Sequence, residues 1–415
     1  MKTILKSPGS AIDALCRSVL FKKLRDIKRG RLIIIDQGQR HVFGPAESEF
    51  PVETTITVNR SDFYTRVSLG GSNGAGESYA DGDWDCADLA SLTRIFVANR
   101  DTLMTLDNGV GAALQPIERL IHKTRRNTVG KAKENIRAHY DLGNDFFSLF
   151  LDETMMYSCG IFKDAQSTLY EASTEKNDRI CRKLALKPSD HVLEIGTGWG
   201  GFAIHAAKHY GCHITTTTIS KAQYDMAQER IKREGVEDRI TLLLEDYRNL
   251  TGTYDKLVSI EMIEAVGLDH LDEYFDVCSK RLAPHGTMML QGIIIRDRYY
   301  EAAKKSVDFI KKHIFPGSGI PSVGALVKNS AAADLRLFHQ EDLTAHYVRT
   351  LRSWSERLES RKTDFLNLGY PEKLYRLWQF YFGYCEGGFK ENSIGLVQMM
   401  FTKQDHHHES ILGAI

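Results

Sequence analysis

The feature that most constrains this chain is an alternation in its second half. HVLEIG, ITTTTI, ITLLL, DKLVSI and TMMLQGIII are apolar or β-branched runs, separated by segments such as SKAQYDMAQERIKREG and DEYFDVCSKRLAPHG with helical spacing. Strand and helix in alternation predict an α/β fold with a parallel, doubly wound sheet. After Ile295 the alternation stops. Three long amphipathic stretches, RYYEAAKKSVDFIKKHIF, EDLTAHYVRTLRSWSERL and EKLYRLWQFYFGYCEGGF, are expected to be helices covering a substrate cavity, and GLVQMMFTK a late strand that closes the fold.

The first part of the chain reads differently. RLIIID, HVFGP and ETTITVNRSDFYTRVSLGG alternate with period two and predict a smaller α+β domain over residues 1–110. Within it, SLGGSNGAGESYADGDW is expected to be a Gly-rich loop and DLASLTRIFVANRDTLMTL a helix. A basic linker is expected at 111–134, with the second domain running over 135–415. The basic stretch ERLIHKTRRNTVGKAKENIR, residues 118–137, reads either as a solvated linking segment or as one that attracts anionic headgroups.

Composition narrows the partners. A chain of 415 residues exceeds one compact core and fits about two domains. With 54 Lys+Arg against 54 Asp+Glu there is no global field to hold nucleic acid. No run approaches the roughly 18 apolar residues of a membrane span, and the N-terminus lacks the continuous apolar core of a signal peptide. Seven scattered cysteines with no CxxC argue against a disulfide framework or a zinc site and fit a reducing cytosol. Three adjacent histidines in the tail cannot converge on one ion, so no metal site is expected.

The chemistry concentrates after the first strand of the second half. Glu194-Ile-Gly-Thr-Gly-Trp-Gly200 follows HVLEI and opens the helical run GFAIHAAKHY, so Gly196 and Gly198 let the backbone turn tightly against a ligand. A carboxylate at the strand end and GxGxG, rather than GxGxxG, favour S-adenosylmethionine over a dinucleotide. ITTTTIS offers only hydroxyls where an acidic ribose ligand is usual, so Thr218 and, five residues on, Gln223 become the candidates. After the third strand, Asp246 offers an acceptor for the adenine amine and Tyr247 a ring to stack on it or to pack in the core.

Four motifs in order, HYDLGNDFFSLFLDETMMYSCGIF (139–162), VLEIGTGWGG, SIEMIEAVG (259–267) and HIFPGSGIPS (313–322), resemble cyclopropane-fatty-acyl-phospholipid synthases. These are class I methyltransferases with a Rossmann-like sheet, related to the mycolic acid cyclopropane synthases. The resemblance is close from about residue 134 to the C-terminus and looser over 1–110, where long members carry a lipid-carrier-like domain.

The resemblance implies methyl transfer from S-adenosylmethionine to a cis double bond in a phospholipid acyl chain, then proton loss and ring closure. An alkene needs no base to attack, but the carbocation it becomes must lose a methyl proton in a dry pocket. By resemblance a bicarbonate ion serves as base there, held by Cys159, Glu264 and Tyr347, while Tyr157 and Ser158 reach the methionine end of the donor. Many members place a histidine where this chain has Gln291, which donates an amide hydrogen bond but carries no charge, so a weaker hold on the ion is expected. Cys385 matches a family cysteine, although the reaction requires no thiol nucleophile, and Cys159 also reads as a small buried hydrophobe.

The expected partners are unsaturated membrane phospholipids, met peripherally at the inner face of the membrane, and a second copy in a homodimer. Lys304, Lys305, Lys311 and Lys312 are expected to share one helix face, either toward lipid or simply toward solvent. Three rival readings stand beside this one: a methyltransferase leaving a methyl or methylene branch, a non-catalytic lipid carrier that binds the donor, and a dinucleotide oxidoreductase.

Overall fold

The computed structural model describes residues 11–47, 49–103 and 142–407; the expected linker at 111–134 and the basic stretch at 118–137 lie outside them. The described residues form two compact units, cut differently from the consecutive segments 1–110 and 135–415. Residues 306–314 and 354–393 join the N-terminal residues in one unit, and 315–353 and 394–407 join 142–305 in the other.

In the first unit, β1 (Arg31–Asp36) and β2 (Gln39–Phe43) pair antiparallel, and their two linking residues, Gln37 and Gly38, both take positive φ, as a tight hairpin turn requires. β3 (Glu53–Val58) runs parallel to β1, and β4 (Trp84–Cys86) antiparallel to β3, giving the order β2-β1-β3-β4. The expected Gly-rich loop is instead the greater part of a helix, Asp62–Ala80, kinked at Gly71. Its glycines serve packing: a Cβ on Gly76 would lie 2.4 Å from the Phe309 ring.

The same device explains why 354–393 belongs to this unit. On the helix Glu372–Lys390, a Cβ at Gly383 would lie 2.5 Å from that of Leu89, and one at Gly387 would lie 2.6 Å from the Ala90 carbonyl oxygen. The helix Leu89–Ala98 therefore approaches closer than any larger side chain would allow.

The expected lysine face does not form. The helix Asp297–Lys305 ends at Lys305, and a separate π-turn spans Ile310–Ile314. Lys304 pairs with Asp269 at 3.0 Å, Lys312 with Glu77 at 2.9 Å, and buried Lys311 donates to the Ser306 carbonyl. Among the described residues no helix is long and apolar enough to cross a membrane.

The second unit is built on a seven-stranded sheet of order β10-β11-β9-β8-β5-β6-β7. Its strands are β5 (His191–Ile195), β6 (His213–Thr218), β7 (Ile240–Leu244), β8 (Tyr254–Ile260), β9 (Leu282–Ile295), β10 (Arg336–Asp342) and β11 (Ile394–Thr402). The first five are parallel, and β11 runs antiparallel between β9 and β10, the arrangement typical of Rossmann-like methyltransferases. Unbroken apolar runs belong here because helices cover the sheet. One core cluster gathers Val192, Phe202 and Met289; another gathers Leu193, Tyr274 and Leu290. Each fully buried side chain of this size stabilises the fold by roughly 1.5–3 kcal/mol.

The strand order reverses between β5 and β8, so their C-terminal ends flank the crevice in which open α/β sheets bind ligands. Glu194 lies at the end of β5, and Glu261 directly follows β8. Register then places Gln291 of β9 opposite Ile260, Gln398 of β11 opposite Gln291, and Glu341 of β10 opposite Gln398. A row of polar residues thus crosses the sheet just beside the crevice.

Candidate active site

The glycine turn takes the conformation its sequence requires. Gly196, Gly198 and Gly200 have φ of 102°, 53° and 84°, values that L side chains rarely adopt. The Gly196 and Thr197 amides both donate to the Thr217 carbonyl, which anchors the loop on β6. A Cβ on Gly198 would meet no heavy atom within 4 Å. That open space lies at the switch point, where a donor would pass against the backbone. Buried Ser158 points its Oγ at no partner among the described residues. An open cradle and an orphaned hydroxyl both fit a bound S-adenosylmethionine.

The remaining donor candidates are placed with different clarity. Buried Glu194 accepts from Thr216 at 2.5 Å, and burial pushes its carboxyl up to about 8. A cationic ligand would draw it back toward the charged form. Thr218 Oγ1 donates to Gln223 Oε1 at 3.0 Å, fixing that amide at the end of β6. Asp246 is engaged by the Arg248 guanidinium at 2.8 and 2.7 Å and caps the short turn Tyr247–Asn249, so an adenine amine would have to share its carboxylate. Tyr247 packs edge-on against Tyr274 under the Arg248 cation, which favours the packing role over stacking on adenine. Tyr157 sits among Phe147, Phe150 and Phe315.

Three of the catalytic candidates, Cys159, Gln291 and Tyr347, converge on a residue outside the expected set. Glu261 Oε1 accepts from the Cys159 backbone N–H at 2.9 Å and from Gln291 Nε2 at 2.8 Å, and Oε2 accepts from the Tyr347 hydroxyl at 2.7 Å. Those are donors from three of the residues expected to surround a bicarbonate ion. A protein carboxylate takes these hydrogen bonds, so a bicarbonate ion placed here would have to compete for them against its charge. Cys159 contributes its backbone, while its thiol turns to the Gly160 carbonyl and Thr350, and burial holds it well above the usual thiol range.

Glu264, the carboxylate expected to orient the ion, lies on the short helix Ile263–Val266. Its Oε1 accepts from the Ile293 N–H, and its buried Oε2 has no partner among the described residues. Burial, and secondly the charge of Glu261, pushes Glu264 up to about 8. Burial also raises Glu261, against the pull of Tyr347, Gln291, the Cys159 N–H and Lys176. Lys176 is fully buried on the helix Leu169–Lys183, its Nζ without a hydrogen-bond partner among the described residues, and burial lowers it to about 8 despite Glu261 and Glu194 nearby.

Gln291 is oriented from behind. Its Oε1 accepts from Gln398 Nε2 at 2.9 Å, Gln398 Oε1 accepts from Lys183 Nζ at 2.8 Å, and Lys183 pairs with Glu341 at 2.5 Å. This chain leaves Gln291 only its amide N–H to offer Glu261. Cys385 lies on the helix Glu372–Lys390 of the first unit, and burial pushes its thiol up.

Comparison with known proteins fits this geometry. Residues 127–399 match the model of the mycolic acid cyclopropane synthetase family. The cyclopropane-fatty-acyl-phospholipid synthase of Escherichia coli K12 is 38% identical over 365 residues, covering 84% of this chain and 87% of that protein. The tuberculostearic acid methyltransferase UfaA1 of Mycobacterium tuberculosis is 34% identical over 364 residues, 85% of this chain and 84% of its own. The mycolic acid cyclopropane synthase CmaA1, solved with S-adenosylhomocysteine and CTAB, superposes with a TM-score of 0.62 at 29% identity, covering 65% of this chain and 98% of that one. The chain belongs to the mycolic acid cyclopropane synthetase family of S-adenosylmethionine-dependent methyltransferases.

Proposed function

We propose that the protein transfers the methyl group of S-adenosylmethionine to the cis double bond of an unsaturated phospholipid acyl chain and closes a cyclopropane ring. The observation that carries this reading is the buried carboxyl pair, Glu261 and Glu264, at the switch point beside the glycine turn. Methylation of an alkene needs no base at the start and one base at the end, and a dry carboxylate cluster suits that order. The Escherichia coli relative, named for this activity, supports the substrate class.

The donor would lie along Gly196 and Gly198, with Tyr157, Ser158, Glu194, Thr218, Gln223 and Asp246 around it. The π electrons of the alkene form a bond to the methyl carbon as the carbon–sulfur bond breaks, leaving neutral S-adenosylhomocysteine. A cation remains on the neighbouring chain carbon, and loss of a methyl proton lets that C–H pair close the ring. Acid carboxyls in the wall stabilise the cation only while one of them is ionised.

Access to a bilayer surface is supported by the helix Ala11–Leu24, where Ile12, Leu15 and Val19 lie exposed at helical spacing next to exposed Lys22. This replaces the lysines of 304–312 as the candidate lipid contact, and it fits a peripheral protein acting from the cytoplasmic side. Mass spectrometry of total lipid from an expression host lacking the activity tests the function. Unsaturated phospholipids should gain the mass of one CH2, with fragmentation that marks a ring. A methyl- or methylene-branched product would establish the second reading instead, and unchanged lipids would refute both.

A further inference from the structure

Resting on the proposed alkene methylation, we propose that Glu261 is the base of the reaction: its carboxylate fills the anion seat and takes the methyl proton itself, so that turnover requires no bicarbonate. Three donors from three separate segments, the Cys159 amide, the Gln291 side chain and the Tyr347 hydroxyl, meet both oxygens of this one side chain at 2.7–2.9 Å. Gln291 is pinned by Gln398, and the Cys159 amide belongs to a backbone whose next N–H, that of Gly160, goes to Thr350.

The backbone at Glu261 has φ of 49°, a conformation glycine adopts more readily than glutamate. A glutamate held there puts its carboxylate where a free anion would otherwise sit. A second carboxyl, Glu264, stands beside it with one oxygen buried and unpartnered. Two neighbouring buried carboxyls do not both ionise readily, so the pair holds one proton between them and presents one charge. Buried Lys176 supplies the countercharge to Glu261 and Glu194. In the step itself, the Glu261 carboxylate gains the proton of the new methyl group and becomes the acid. The C–H electrons close the ring, and the proton leaves to solvent before the next turnover.

The test compares the wild-type chain with Glu261→Gly and Glu261→Gln, using vesicles of a dioleoyl phospholipid in carbonate-depleted buffer with graded bicarbonate. Wild-type turnover should not change with bicarbonate. Glu261→Gly relieves the positive φ, so it should fold and bind the donor, lose about 10²–10⁴-fold in rate, and recover with added bicarbonate or acetate. Glu261→Gln still fills the seat but cannot take a proton, so it should stay slow at every bicarbonate concentration.

A second readout needs no turnover: the NMR line of 13C-bicarbonate should be unaffected by the wild-type protein and broadened by Glu261→Gly. Bicarbonate binding to the wild-type protein, bicarbonate-dependent wild-type rates, or undiminished activity in Glu261→Gln would each overturn the proposal. If the wild-type protein left dioleoyl lipid unchanged, the function proposed above would fall, and the NMR comparison would still decide what occupies the seat.

Discussion

Removing one hydroxyl should move the pH dependence of the reaction. Tyr347 donates its O–H to Glu261 Oε2 at 2.7 Å, and of the groups that favour the ionised carboxylate it exerts the strongest pull. A hydrogen bond to a charged group contributes ~1.5–3 kcal/mol. At 1.36 kcal/mol per pKa unit, its loss in Tyr347→Phe corresponds to a rise of about one to two units for Glu261. The sign follows from the role: burial already raises Glu261, the base works in its ionised form, and a further rise means that form appears only at higher pH. The acidic limb of kcat/KM against pH should therefore shift upward by about one to two units, with the rate at the alkaline plateau retained within about tenfold. The assay follows S-adenosylhomocysteine release on unsaturated phospholipid vesicles for both proteins. Coincident acidic limbs would refute the argument, because a hydroxyl that merely braces the pocket would lower the rate at every pH without moving the midpoint.

Two further outcomes follow from other parts of the molecule. Gly198→Val places a β-branched residue at a φ of 53° and fills open space beside the turn, so calorimetry should show donor affinity falling by about tenfold or more; unchanged affinity would remove this loop from the donor site. In the first unit, the hydrogen bond from His313, with Lys312 adding to it, lowers Glu77 from 4.5 to about 2. That contribution is present above pH 4.5 and lost as pH falls toward 2, so Glu77→Gln should flatten the decline of melting temperature across that window.

Different physical causes decided which parts of this molecule could be read in its sequence. The strands β5, β8 and β9 announce themselves because strands covered on both faces are predominantly apolar, so that in HVLEI and TMMLQGIII the polar exceptions Glu194 and Gln291 stand out as site residues. β10, RLFHQED, stays hidden because it lies at the sheet edge, where none of its residues is fully buried and polar residues fill its second half. The glycine-rich helix is misread as a loop because propensity disfavours glycine in helices, while close packing against Phe309 selects it. At the site, the glycine turn was legible from its spacing, but Glu261 was not, since the resemblance assigns the carboxylate role to Glu264 three residues later. A signal was present all the same: SIEMIEAVG carries two glutamates in an otherwise apolar strand end, where a lone buried carboxylate is costly. Lys176 is harder to read, because STEKNDR around it is polar and only Ala172 and Ile180, four residues to either side, mark its face as the buried one.

Glu261 and Gln291 are best understood as one arrangement. A histidine at position 291, the usual family residue by resemblance, would stand beside the buried carboxylate and tend to take a proton, and the resulting ion pair would depress the carboxylate's affinity for protons. Glutamine cannot do this. It gives Glu261 a neutral hydrogen bond at 2.8 Å, with a longer one to the Cys159 carbonyl at 3.4 Å, which positions Oε1 while leaving the carboxylate basic. Its own orientation is then the weak point, because a flipped amide would turn its oxygen toward Glu261 and repel it. The row Glu341, Lys183 and Gln398 removes that freedom: Lys183 donates to both Glu341 and Gln398, so Gln398 turns its amide N–H to Gln291 and Gln291 turns its own to Glu261. A charge pair at the sheet edge thereby sets the polarity of a hydrogen bond at the crevice, through Glu341, Gln398 and Gln291 aligned by strand register and Lys183 reaching in from the end of the helix Leu169–Lys183.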